Sequence, residues 1–310
     1  MTKCSRCDSE KVIFKREDSG EFFCRACFIE SFEKRVRKTI AKYDLLREDD
    51  RIALALSGGK DSLALLKLLS RLEKNFPMAS LVAITIDEGI PGYRDESLKL
   101  AIDLCNKLDV EHYICTFNEL YNITIHEYMS SNKREKIGLG PCSLCGILRR
   151  RALDIMAEKV NATVIATAHT LDDIVQTYIM NILRGDLPKG LIGIRNDEVP
   201  IPRVAPFRLT PEREVVLYAY IQGIPFQETP CPYASFSQRD LIRRFLTEFE
   251  ETHPGSLYAA LSRIEELLSG QERKYGKKLC KSCLTPSSND LCRACQVMNE
   301  LLGLKTTSTL

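Results

Sequence analysis

The stretch Arg51-Ile-Ala-Leu-Ala-Leu-Ser57-Gly58-Gly59-Lys60-Asp61-Ser62-Leu-Ala-Leu-Leu-Lys67 decides how the chain is read. An apolar run of strand length meets two glycines. A helical pattern with Leu63, Leu65, Leu66, Leu68 and Leu69 follows, so the stretch reads as strand, tight turn and helix start. Gly58 and Gly59 let the backbone approach a ligand closely. The unpaired N–H groups of the first helical turn favour an anion. Ser57, Lys60 and Ser62 add donors. Asp61 is the odd member, because an acid beside phosphate calls for a metal ion or an adjacent cation. The glycine spacing fits neither the P-loop of NTPases nor the dinucleotide fingerprint. The competing reading is an ordinary helix N-terminus.

With 310 residues the chain can bury a large core and carry small appendages. A formal net charge of +2 does not announce nucleic acid, so any positive surface must be local. No stretch approaches the ~20 apolar residues of a membrane span. The opening Met-Thr-Lys-Cys-Ser-Arg-Cys has no apolar signal core, and a cytoplasmic protein is expected. Thirteen cysteines in that compartment point to metal ligands more than to disulfides.

Cys4/Cys7 and Cys24/Cys27 form one set of Cys-x-x-Cys pairs, and Cys280/Cys283 and Cys292/Cys295 form another. Each set fits a structural zinc ribbon. Redox dithiols and rubredoxin-like iron are the alternatives. Cys105 and Cys115 read as small buried hydrophobes. Cys142 and Cys145 follow a glycine-rich turn, ahead of a basic helix expected from 146 to 160. Cys231 is held between prolines. Three cysteines suit a 4Fe–4S cluster with one open iron. Persulfide chemistry at Cys142 and Cys231 competes, and spacing alone leaves the two open.

Along the chain, residues 1–30 read as an N-terminal Cys4 ribbon. Residues 31–275 form an α/β domain with an open parallel sheet and a linking helix at 31–47. Residues 276–310 form a second Cys4 ribbon and a tail. Lys3, Arg6, Lys11, Lys15, Arg16 and Arg25, interleaved with Phe14, Phe22 and Phe23, suggest nucleic-acid contact; solvated charge over a small aromatic core is the plainer account. Asp87 follows strand 81–86 at the sheet edge where ligands bind. Residues 130–140 suggest a basic flap over the site. His169, Asp172 and Asp173 follow strand 162–168, with Asp173 a candidate for magnesium and Asp172 for a helix N-terminal acid. Residues 186–206 read as loop, with Arg203 a candidate phosphate contact.

Ser57-Gly-Gly-Lys-Asp-Ser62 resembles the PP-loop of ATP pyrophosphatases. Together with Pro141-Cys142-x-x-Cys145-Gly146, His169-x-x-Asp172-Asp173, Arg184-Gly185, Cys231-Pro-Tyr233 and both terminal cysteine sets, it resembles the tRNA 2-thiouridine synthetase family across nearly the whole chain. The resemblance implies a Rossmann-like, adenine nucleotide alpha hydrolase-like fold flanked by zinc ribbons. It implies Mg–ATP, two Zn2+, and a 4Fe–4S cluster on Cys142, Cys145 and Cys231. It also implies a homodimer and a ubiquitin-like thiocarboxylated sulfur carrier. The nearest group is the thermophile enzymes that convert 5-methyluridine 54 of the T-loop; wobble uridine 34 is the alternative. Ser57, Gly58, Gly59, Lys60, Asp61, Ser62, Asp87 and His169 would bind nucleotide. Asp61 and Asp173 would hold or orient magnesium, and Lys60 would steady developing charge. A lysine expected shortly after the Cys-x-x-Cys is missing, and Arg149 is the candidate for its place. A PP-loop amidotransferase or tRNA lysidine synthetase has no need of three clustered cysteines. A non-enzymatic ribbon protein would explain only the chain ends.

Overall fold

The computed structural model describes residues 2–186, 190–269, 278–283, 285–287 and 289–302. The Pro188 loop position, the expected 275/276 boundary and the tail beyond 302 lie outside them. The chain opens with a hairpin, β1 (Val12–Lys15) and β2 (Phe22–Cys24), that runs straight into α1 (Arg25–Lys42). The first ribbon and the linking helix are therefore one continuous piece, and Cys27 lies in the first turn of α1.

The central sheet uses β3 (Arg51–Ala55), β4 (Ser80–Asp87), β5 (Glu111–Thr116), β6 (Val164–Ala166) and β7 (Arg203–Val204). Its order is β5-β4-β3-β6-β7, all parallel. The chain leaves β3 toward one edge through β4 and β5, then returns to pair β6 against β3. This reversal opens a crevice beyond the carboxyl ends of β3 and β6, where open parallel sheets bind ligands. Side-chain alternation builds two cores from one strand. Ile52 and Leu54 face the first core, with the leucines of α2 (Lys60–Leu72), while Ala53 faces the second. The first core also takes α1, part of α3 (Arg94–Leu108), and later in the chain α9 (Glu212–Ile221).

The second core takes α4 (Phe117–Tyr121), α5 (Ile125–Ser130) and α7 (Pro141–Lys159), with α6 (Lys133–Ile137) between them. Both α4 and α5 begin with a Thr-x-x-Glu capping box, Thr116/Glu119 and Thr124/Glu127, that satisfies their free N–H groups. The expected flap at 130–140 is thus partly helical, and α6 packs on α12 (Arg293–Leu302), the last described helix. The helix expected from 146 starts five residues earlier. Pro141 occupies its first turn, where a missing N–H costs nothing, so both cysteines sit on the helix.

A third cluster joins α8 (Leu171–Leu183) to α10 (Arg239–Thr252) and α11 (Ser256–Ser269). A short hairpin, β8 (Lys278–Leu279) and β9 (Pro286–Ser287), precedes α12. Val297 and Leu301 of α12 are buried in the second core, while Phe23 and Phe28 of the first ribbon are buried in the first. No helix among the described residues is long and apolar enough to cross a membrane.

Candidate active site

The loop after β3 is tightened by its own side chains. The Ser57 amide donates to Ser62 Oγ at 3.1 Å, the two serine hydroxyls lie 3.0 Å apart, and Ser62 Oγ donates to the Gly59 carbonyl. The Gly59 amide donates to Ser57 Oγ at 3.3 Å, so the serines take the amides of Ser57 and Gly59 and shape the loop ahead of the helix. Gly58 has φ +79°, and a Cβ there would sit 2.1 Å from the Ser97 carbonyl oxygen. Only glycine fits. Gly59 is the N-cap of α2 and supplies no side-chain cap, so the amides of the first turn stay open to an anion.

Lys60 Nζ reaches Asp61 at 3.0 Å and Glu212 at 2.6 Å. The same Glu212 oxygen takes Arg243 at 2.5 Å, and the Glu212 amide donates to Asp172 at 2.7 Å. Burial draws the Lys60 pKa down, but Asp61 and Glu212 outweigh it and the net shift is upward. Burial raises the carboxyls of Asp61 and Asp172 to about 6 each. Between roughly pH 4 and 6 the folded chain therefore holds protons that the unfolded chain has released. The contribution of these two groups to stability falls as pH rises through that window, on the order of 1–3 kcal/mol per group. Urea unfolding should show the gap between wild type and Asp61→Asn widening in favour of the variant from pH 4.5 to 7. A gap independent of pH would show that Asp61 ionises normally.

Across the crevice, Asp173 takes the capping role that the sequence suggested for Asp172. Its Oδ2 accepts from the Thr170 amide and hydroxyl, both at 3.1 Å. Asp172 instead tethers α9. His169 Nδ1 lies 2.9 Å from Thr167 Oγ1, and burial lowers its pKa below the usual 6.5, which favours the neutral ring at pH 7. Asp87 accepts from the Gly89 amide at 2.8 Å, a turn contact. Arg203 is committed to Asp154 and the Arg150 carbonyl, so the expected phosphate contact is a structural clamp.

Cys142 and Cys145 on α7 meet Cys231 from the loop before α10, with the Cys142 thiol donating to the Tyr233 carbonyl at 3.2 Å. Burial raises Cys142, and the neighbouring Cys231 adds to the shift. Burial also pushes Cys145 up to about 11, against the pull of Arg149. Arg149 Nη2 is 3.2 Å from Cys145 Sγ, and its Nε is 2.6 Å from the fully buried Glu88. The three sulfurs do not all lie within 4.8 Å of one another, unlike the two sets of four. Two thiols from one helix turn and a third from a separate loop offer three soft sulfur ligands, the donor set an iron–sulfur cluster takes.

Cys4, Cys7, Cys24 and Cys27 converge within 4.8 Å, as do Cys280, Cys283, Cys292 and Cys295. The Cys7–Cys24 and Cys283–Cys292 sulfurs are each 3.6 Å apart. A tetrahedral ion with sulfur bonds of about 2.3 Å sets its sulfurs roughly 3.8 Å apart. Both quartets therefore fit a metal ion. At Cys280, burial raises the thiol but the amides of Cys292 and Cys283 outweigh it and lower the pKa, while burial raises Cys292 and Cys295.

Much of the basic pattern of the first ribbon is internal. Arg16 is buried against Glu214 at 2.9 Å, Arg25 donates to the Ile221 carbonyl, and Arg6 and Lys15 pair with Glu21 and Glu17. Phe23 is wholly buried. Too small for a core of its own, the ribbon borrows one from α9. Among its described cations, Lys3 and Lys11 stand exposed without an ion pair.

Residues 29–250 match the family model of the PP-loop domain. The cytoplasmic tRNA 2-thiolation protein 1 of Dictyostelium discoideum is 35% identical over 96% of this chain and 83% of its own length. The tRNA 2-thiolation protein NcsA of Haloferax volcanii is 32% identical over 96% and 99%. The chain belongs to the PP-loop tRNA 2-thiolation protein family. A solved structure, the U34-tRNA thiolase NcsA from Methanococcus maripaludis with its 4Fe–4S cluster, overlays with TM-score 0.83 at 31% identity. The match covers 100% of this chain and 99% of that one.

Within this family frame the structure adds residues that sequence reading passed over. Glu212 lies 152 positions from the lysine it holds, and nothing local marks it as more than a helix-start acid. Arg94 and Arg243 are set by contacts far along the chain, Arg94 with the Ser57 carbonyl and Arg243 with Glu212. Glu88 was visible only as the neighbour of Asp87.

Proposed function

We propose that this chain uses ATP to activate C2 of a tRNA uridine and exchanges the C2 oxygen for sulfur, with wobble uridine 34 as the target. The observation that carries this reading is the crevice itself, where one buried carboxylate, Glu88, connects the phosphate loop to the cysteine trio. The sequence resemblance put position 54 first. The full-length likeness to a protein named for U34 supports the reverse order, and position 54 becomes the alternative outcome.

The C2 oxygen is a poor leaving group until it is adenylated. The amides after Gly59 receive the departing pyrophosphate, and Lys60 joins them once it leaves Glu212. Asp61 and Asp173 would hold magnesium that disperses the phosphate charge. Cys142, Cys145 and Cys231 would hold a 4Fe–4S cluster, which would supply a binding site for the sulfur to be transferred. Arg149 sets a cation 3.2 Å from the Cys145 sulfur. The terminal quartets would hold Zn2+. A ubiquitin-like sulfur carrier and a homodimer belong to the proposal through the family resemblance alone. Mass mapping of thiouridine in tRNA after reaction tests the target: thiolation at 34 is expected, and thiolation at 54 would restore the earlier order. Lys60→Ala should abolish tRNA-dependent pyrophosphate release while metal stays in both quartets. Normal turnover would remove Lys60 from the catalytic list.

A surface role for the first ribbon is also testable. Converting Lys3 and Lys11 to alanine should weaken tRNA binding and reduce the salt slope by about 0.7–0.9 per lost phosphate contact. An unchanged slope would return both charges to ordinary solvated surface.

A further inference from the structure

Glu88 follows the last residue of β4, and its side chain is fully buried. One oxygen is 2.9 Å from Arg94 Nε and the other 2.6 Å from Arg149 Nε. Both contacts are close, yet the carboxylate oxygens and Arg94 Nε have no well-directed hydrogen bond. The attraction is therefore mainly Coulombic. A buried carboxylate is costly without a cation, and here it has two.

Each arginine grips a different half of the site. Arg94 donates to the Ser57 carbonyl at 2.8 Å and to the Ile86 carbonyl, so it ties the phosphate loop to the end of β4. Arg149 touches Cys145 at 3.2 Å. One anion and two cations leave this cluster one positive charge in excess. A thiolate, or an anionic group bound by Cys145, would balance it. That excess makes little sense as scaffolding alone, because packed apolar residues would hold the same elements at lower desolvation cost.

We infer that Glu88 is a positioning residue that holds Arg149 beside Cys145 and Arg94 against Ser57, so that one carboxylate aligns the cysteine trio with the nucleotide loop. The inference rests on the proposed cluster at the trio for one of its two arms. The nucleotide arm needs no cluster, no tRNA and no turnover.

The test compares full-length wild type with Glu88→Gln, reconstituted anaerobically with iron and sulfide. The first readout is the reduction potential of the cluster, followed by electron paramagnetic resonance. A nearby cation raises a cluster potential and a nearby anion lowers it. If Glu88 acted only through space, its neutralisation would raise the potential. If it acts by holding Arg149 in place, the cation leaves and the potential falls. A fall is expected, and it should vanish in an Arg149→Gln background. A rise, or no shift, overturns the cysteine arm. The second readout is the affinity of cluster-free protein for a non-hydrolysable ATP analogue, expected to weaken about tenfold. Unchanged affinity overturns the nucleotide arm. Should Glu88→Gln fail to fold, Glu88→Asp keeps the charge but withdraws the carboxylate by one methylene, and both readouts should move in the same directions. Iron-free active wild type would count against the cluster reading, and nucleotide affinity would then decide the inference alone.

Discussion

Cys231→Ser is expected to abolish 2-thiolation and to remove the iron–sulfur absorption in the same step, with both terminal quartets keeping their metal. Cys142 and Cys145 share one face of the first turns of α7, but two thiolates on one turn cannot enclose a four-iron body. The third must come from elsewhere, and the loop between α9 and α10 brings it. Prolines on both sides of Cys231 limit its backbone and set the thiol in place before any cluster arrives. Serine keeps the shape but is a poor ligand for soft iron. The competing relay, with persulfide on Cys142 or Cys145, makes a different forecast: a trapped persulfide in Cys231→Ser and no need for iron. Iron and acid-labile sulfide in anaerobically purified active enzyme separate the two. The cluster assignment would be falsified by active wild-type enzyme lacking both. Free sulfide should rescue iron-replete wild type without a protein sulfur donor and should fail on iron-free protein.

Gly58→Ala should eliminate ATP-dependent chemistry even though no functional group is lost. The left-handed backbone at φ +79° costs an L-residue roughly 1–2 kcal/mol. The larger penalty is steric, since the new methyl would meet the Ser97 carbonyl at 2.1 Å, and that partner is backbone rather than a side chain that can turn away. Either the loop or the first turn of α3 must move. A displacement near 1 Å can lower turnover by about a hundredfold. Gly59→Ala is the control, because its Cβ would lie 3.5 Å from Ser57 Oγ, an ordinary contact. Thermal unfolding should separate them, with Gly58→Ala clearly destabilised and Gly59→Ala close to wild type. Equal melting temperatures would show that Ser97 yields more easily than its helix position suggests.

The strand, turn and helix of residues 51–67 were legible in the sequence because their causes are local. A short apolar run, two glycines and a leucine spacing are each set by neighbours a few positions away. The cysteine quartets were legible for the same reason, since a Cys-x-x-Cys pair converges within one turn. Element boundaries failed where capping chemistry ruled. The helix expected from 146 begins at Pro141 itself, and where the sequence suggests a loop and one short helix between 119 and 128, two Thr-x-x-Glu boxes open two helices.

Charge was the least legible property. Arg16 and Arg203 read as ligands for phosphate, yet each found an internal carboxylate across the fold. Lys60 read correctly as part of the loop, but its grip on Glu212 depends on α9 being returned beside α2. Asp173 rather than Asp172 closes the capping box of α8, while Asp172 takes the Glu212 amide that arrives from that distant helix. The sequence by itself determined the parallel α/β core, the phosphate turn and the two metal-ready ends, all from short-range pattern. Only the tertiary structure decided which charges neutralise one another. A buried ion pair is chosen by proximity in a low-dielectric interior, and proximity across a hundred residues has no signature along the chain.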